Sequence, residues 1–165
     1  MHIWESELTV IDKAQPASRT TLKEFATSIL SPLSEQEIAL ALEEGATNPA
    51  SWKLPQRSLP GSYLDFLSWS NGGSFSTEKL LLDPIFGTHE VRDYLLSYWL
   101  PKWMPGSLPL GFDGGGQFYL FDMRNAPLAG EFPIVLADSG NLDWEDAQVV
   151  AGSFLELITG RTHSG

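Results

Sequence analysis

Three groups of residues in this sequence have types and spacing that could do chemistry. The run Gly111-Phe112-Asp113-Gly114-Gly115-Gly116-Gln117-Phe118 has the glycine density of a loop that cradles phosphate. Such a cradle needs a helix N-terminus after the glycines, usually with Lys and Ser or Thr, so that backbone N–H groups and a cation meet the anion. Here Gln117-Phe118-Tyr119-Leu120-Phe121 follows, which is strand-like, and the run reads as the turn of a β-hairpin. His89 and Asp93 stand four apart on an expected helix and would share one face, as two metal ligands do. The set is incomplete, because a zinc-hydrolase signature needs a second His where Asp93 stands, and His2 and His163 lie near the ends. The plainer reading is a helix start with a surface His and Asp. Asp138, Asn141, Asp143, Glu145 and Asp146 crowd together as calcium ligands do, but positions 3, 5 and 12 of such a loop would be Gly140, Leu142 and Val149. There is no G-x-S-x-G elbow and no cysteine for nucleophilic catalysis. The residues therefore point to no metal, no cofactor and no catalytic set.

The elements that must position these residues follow from periodicity and punctuation. His2 to Ile11 alternates in part and is expected as an edge strand. Leu22, Phe25, Ala26, Ile29 and Leu30 recur at helical spacing until Pro32. Ser34 and Glu37 form a capping box ahead of a helix that stops at Gly45. Thr47 to Ser58, with Pro49 and Pro55, reads as a loop or insertion. A third helix opens at Leu59-Pro60-Gly61-Ser62 and closes at Asn71-Gly72-Gly73, with Pro60 expected in the first helical turn. Ser74 to Asp83 offers strand material ended by Pro84, and Thr88 is expected as the cap of a fourth helix stopped by Pro101. Strands are expected at Leu108 to Asp113, Gln117 to Asp122 and Pro133 to Asp138. A short strand over Ala147 to Val150 and a helix over Ser153 to Ile158 complete the chain. Helices mostly first and strands mostly later describe an α+β domain with a central antiparallel sheet and helices packed on it. Trp99, Trp103 and Trp144 sit near turns or element ends where partial exposure is expected; the aromatics otherwise read as core.

Composition narrows the function classes. The chain has 165 residues, 42% of them apolar, and carries a formal charge of −11, so it has core material for one domain and too few cations for a phosphate-neutralising stripe. Direct nucleic-acid binding is excluded on that ground, and no apolar run approaches the ~20 residues that span a bilayer. The absence of cysteine and of a basic leader at Met1-His2-Ile3-Trp4-Glu5 leads to the expectation of a soluble cytoplasmic protein. The charge is unevenly placed. Glu35, Glu37, Glu43 and Glu44 fall in one stretch without Lys or Arg, and Glu131, Asp138, Asp143, Glu145, Asp146 and Glu156 in another. Such stretches are either solvated surface or an anionic face that steers a basic partner.

Leu59-Pro60-Gly61-Ser62-Tyr63-Leu64-Asp65-Phe66-Leu67, then Asn71-Gly72-Gly73, then the Gly111-Phe112-Asp113-Gly114-Gly115-Gly116 hairpin, then Ser153-Phe154-Leu155-Glu156-Leu157-Ile158, resemble in order and spacing the first subgroup of the SUKH superfamily. The likeness runs from about Ser34 to Gly160 and leaves residues 1–33 as an N-terminal extension and 161–165 as a polar tail. The Thr47 to Ser58 insertion also departs from the pattern. Members of the subgroup are similar to fungal regulators of cell-wall glucan synthesis. The resemblance implies an α+β fold, no catalytic residues and, in bacteria, an immunity protein that binds and blocks a secreted polymorphic toxin, often a nuclease. A scaffold or regulatory protein-interaction domain is the alternative, and a small acidic hydrolase a third reading. Leu59, Pro60, Tyr63, Phe66, Asn71, Gly72, Gly73, Gly111, Asp113, Gly115 and Gly116 are then architectural. The partner, expected to be a basic toxin domain, would meet Asp138, Asp143, Glu145 and Asp146, with Trp144 as anchor.

Overall fold

The structure, a computed structural model, describes residues 2–161; the expected polar tail lies outside them from Thr162 onward. Seven strands, β1 (Thr9–Lys13), β2 (Gly73–Ser76), β3 (Leu81–Ile85), β4 (Ser107–Phe112), β5 (Gln117–Asp122), β6 (Ile134–Asp138) and β7 (Gln148–Ala151), pair antiparallel in chain order. The helices are α1 (Ile3–Glu7), α2 (Arg19–Ser28), α3 (Glu35–Glu43), α4 (Gly61–Trp69), α5 (Val91–Ser97), α6 (Leu100–Trp103) and α7 (Phe154–Thr159), with a 3-10 turn at Pro49–Ser51. This is the expected single α+β domain.

Central strand β5 is buried on both faces, because side chains alternate along it and helices lie against each side. Phe121 meets Tyr63 of α4, with ring centres 5.4 Å apart, while Phe118 meets Tyr98 at the end of α5, at 4.8 Å. Under the first face Phe66 holds the middle of an aromatic cluster with Trp4, Trp69, Phe75 and Phe154. Glycine is required where backbones come closest. A Cβ on Gly111 would sit 2.5 Å from the Pro84 carbonyl at the β3–β4 junction, so any side chain there would force the strands apart.

The extension ahead of residue 34 shares this core. Trp4 and Leu8 are buried, β1 pairs with β2, and the Ala17 N–H donates to the Leu67 carbonyl at 2.9 Å. The strand expected over His2 to Ile11 divides into α1 and then β1. Trp4 and Leu8, four apart, share one helical face, and that signal overrides the imperfect alternation. The strand material of Ser74 to Asp83 folds as a hairpin of β2 and β3. Its turn carries no glycine; Thr77 Oγ1 accepts the N–H groups of Lys79 and Leu80 at 3.2 and 3.0 Å, a side-chain-built turn that is hard to read from sequence.

Proline and capping expectations shift in similar ways. Pro84 lies within β3, opposite the irregular register between Gly73 and Phe75, where its missing N–H is tolerated. Pro60 takes the N-cap position, and Glu131 supplies the cap of α4 by accepting from the Ser62 N–H at 3.0 Å and from its hydroxyl. Thr88 does not cap α5. Its N–H donates to Asn71 Oδ1 at 2.8 Å and its hydroxyl accepts from Asn71 Nδ2 at 3.0 Å, which ties the α4 exit to the α5 entry. Pro101 sits in the first turn of α6, and the preceding helix ends because Trp99 adopts a left-handed φ of 54°.

Candidate partner-binding surface

The acid-rich segment between β6 and β7 is a loop built from its own short-range hydrogen bonds. Asp138 Oδ1 accepts the Gly140 N–H at 2.9 Å, and Asp143 Oδ1 accepts the Glu145 N–H at 3.0 Å. Asn141 Nδ2 donates to Asp146 Oδ2 at 3.0 Å. Each of these aspartates spends one oxygen on the loop and leaves the other outward. Asp138, Asp143, Glu145 and Asp146 are exposed, and no Lys or Arg among the described residues forms an ion pair with them. They bring no third ligand type with them, and no group of three or more His, Asp or Glu side chains is gathered for a metal among the described residues. His89 precedes α5, exposed, and faces Glu90 rather than Asp93.

Trp144 fixes this loop to the body. Its indole N–H donates to the Pro105 carbonyl at 3.0 Å, and the Arg124 guanidinium lies 3.7 Å over its ring. Arg124 is itself held by Asp122 at 2.9 Å, which keeps its charge engaged and its pKa above the ordinary value. The ring is therefore half-buried on its own protein before any partner arrives.

Beside the loop runs a groove of about 410 Å³, lined by Tyr98, Trp103, Asn141, Leu142 and Asp143. Trp103 is 48% exposed, large for an indole. From Trp103 the aromatic surface continues. Lys102 Nζ lies 4.6 Å from the Trp103 ring and 5.6 Å from that of Trp99, and Trp99 stands 6.3 Å from Trp52. Trp52 follows the 3-10 turn on which α3 packs; α3 carries Glu35 and Glu43 together with exposed Leu40 and Leu42, and Glu44 caps its C-terminus. A chain of contacts thus joins the two acid-rich stretches across Trp52, Trp99 and Trp103.

Trp52 and Tyr98 were not singled out by sequence reasoning. Trp99, Trp103 and Trp144 show the partial exposure expected of them. What the sequence does not show is that these rings, drawn from positions 52, 99, 103 and 144, come together, since no common period or motif links them.

The architectural positions lie elsewhere. Tyr63 is fully buried and donates to the Phe86 carbonyl at 2.7 Å, and burial pushes its phenol far above the ordinary range. Asp113 Oδ1 accepts the N–H groups of Gly115 and Gln117, at 2.8 and 3.0 Å, closing the β4–β5 turn in which Gly114 and Gly116 take positive φ. Leu59 and Phe66 are core, and Gly72 and Gly73 make the turn into β2 with φ of 93° and 122°.

No helix among the described residues is long and apolar enough to cross a membrane. No individual curated protein matches the chain. The model of the SMI1 / KNR4 family (SUKH-1) matches residues 32–160, which take in α3 to α7 and β2 to β7 but not the extension that packs beneath them. With most of its length inside that match, this chain belongs to the SMI1 / KNR4 (SUKH-1) family.

Proposed function

We propose that this chain is a non-enzymatic immunity protein of the cytoplasm that neutralises a basic toxin domain by direct binding, through the surface around Asp138, Asp143, Trp144, Glu145 and Asp146. Family membership makes a protein-binding role the starting point. The observation that carries the finer reading is the loop itself: four exposed carboxylates with no Lys or Arg among the described residues paired to them, three of them preordered by hydrogen bonds within the loop. Such a surface raises the rate at which a basic partner arrives and stands where that partner would otherwise meet nucleic-acid phosphates.

Support for a non-enzymatic role comes from a groove of about 640 Å³ between α1, the β2–β3 turn and α7. Two of its carboxylates are already committed within the chain. Glu7 pairs with Arg161, and Glu156 accepts the Gly152 N–H at 2.6 Å beside the start of α7.

The test is co-expression with the product of the neighbouring gene. Rescue of growth and co-purification are expected; a neighbour harmless in the cytoplasm overturns the toxin reading in favour of a scaffold. In the complex, Asp143→Lys, Glu145→Lys and Asp146→Lys together should slow association at low salt by roughly tenfold or more. An unchanged association rate removes the loop from the interface.

A further inference from the structure

Acids alone do not define what a partner would insert, but the groove at their edge does. Tyr98 and Trp103 line, together with Asp143 and Asn141, a space of about 410 Å³. Aromatic faces opposite a carboxylate are the chemistry that recognises a cationic side chain, by attraction to the ring and by charge-assisted hydrogen bonds. Of these rings Trp103 already draws the chain's own Lys102, and outside the groove Trp99 and Trp144 hold Lys102 and Arg124 in the same way. Hydrogen bonding separates these tryptophans from the rest. The indoles of Trp4, Trp69 and Trp144 each donate within the chain, to Asp65, Glu5 and Pro105. Those of Trp52, Trp99 and Trp103 meet no acceptor among the described residues, which leaves three donors for a partner's carbonyl groups.

Resting on the proposed binding of a basic protein, we infer that the Tyr98–Trp103–Asp143 groove takes an arginine side chain of that partner as the central anchor of the interface. The acids of α3 and of the 138–146 loop then form its two flanks. Arginine suits the groove better than lysine because its planar guanidinium can stack on an indole while its fork of donors faces a carboxylate. The anchor sits where binding energy concentrates, between flanking charges that govern the rate of encounter. Lys102 already lies over the Trp103 ring, so an incoming cation competes with it for that ring.

Two measurements test this. In the first, the full chain labelled with nitrogen-15 is titrated with acetyl-Gly-Arg-Gly-amide, and in parallel with the citrulline peptide, which keeps the shape and loses the charge. The arginine peptide should shift the Trp103 indole and the 139–143 amides saturably, the citrulline peptide should bind about tenfold more weakly, and Lys102→Met should strengthen arginine binding several-fold. Equal binding of the two peptides, shifts that bypass Trp103, or weaker binding after Lys102→Met overturns the inference. In the second, Trp103→Ala should speed dissociation of the partner complex by roughly 10- to 30-fold with little change in association. An unchanged dissociation rate, alongside slowed association in the triple lysine variant, sinks the groove and leaves the acidic surface standing. Faster dissociation with no effect of the triple variant keeps the groove and removes the loop.

Discussion

The six tryptophans fall into two populations that the same residue type serves in opposite ways. Trp4 and Trp69 lie under the sheet, 1% and 7% exposed, with their indole N–H groups donated to Asp65 and Glu5. Trp52, Trp99, Trp103 and Trp144 form the outer series, partly open to solvent, and among the described residues only Trp144 of these has an acceptor within the chain. The acids divide along the same line. Glu37 forks onto Arg92 at 2.8 Å, and Glu131 and Glu156 hold helix starts, whereas Asp138, Asp143, Glu145 and Asp146 keep outward oxygens without a cation. In the inner region these indoles and carboxylates are engaged by the chain itself, and in the outer one most of them keep a donor or an oxygen open. Residue type alone does not say which; the difference lies in whether the fold brings a complementary group within reach.

The largest expected effect tests whether the extension belongs to the satisfied region. Trp4 packs its ring against Phe66 and Phe154, at 5.6 and 5.5 Å, from outside the family match. Trp4→Ala should cost about 3–5 kcal/mol in chemical denaturation, the usual loss for emptying a buried indole site. A cost below about 1 kcal/mol would show the extension to be an appendage and would dissolve the contrast between inner and outer tryptophans.

The acids give a smaller effect. The Arg92 guanidinium beside Glu37, aided by the Ser34 cap, holds its carboxyl down at about 2, against an ordinary 4.5. A folded-state pKa below the unfolded one contributes stability that is full above about 4.5 and is lost as pH falls toward 2. Because the pair is partly open to solvent, that contribution is about 1 kcal/mol, well short of a full conversion of the shift. Glu37→Gln should therefore be less stable than the parent at pH 7 by that amount and should lose less stability on acidification from pH 5 to pH 2. Parallel curves for the two proteins would place Glu37 with the open acids of the loop.

Much of the inner region was legible in the sequence. The Ser34–Glu37 capping box is present with both of its bonds, the Gly114–Gly116 turn joins the strands expected of it, and β4 to β7 fall within a residue or two of their expected positions. These signals are local, so a single chain segment carries them. What was not legible depends on distant partners. Thr88 reads as a helix cap until Asn71, seventeen residues earlier, takes both of its groups. Trp4 and Leu8 make a helix only because a core lies beneath them. At the outer surface the acidic loop could be read as composition, but the aromatic series could not. Trp52, Trp99 and Trp103 come from an insertion and from the two ends of a helix turn, and only the folded chain sets them in line.

The smallest expected effect is the one that keeps the two populations apart. Trp103 leaves nearly half its surface in water, makes no hydrogen bond within the chain among the described residues, and carries the exposed Lys102 over its ring. Truncating it opens no enclosed cavity, so the penalty that dominates at Trp4 has no counterpart here. What is lost is some apolar contact and an exposed cation–ring attraction worth about 0.5–1 kcal/mol, offset in part by the freedom Lys102 regains. Trp103→Ala should thus stay within about 0.5 kcal/mol of the parent in chemical denaturation, near the range of ordinary surface substitutions. A loss of several kcal/mol would make Trp103 part of the core. Any faster dissociation of a partner from that variant would then report a damaged fold, whereas a neutral result makes the same change in dissociation a direct reading of the groove.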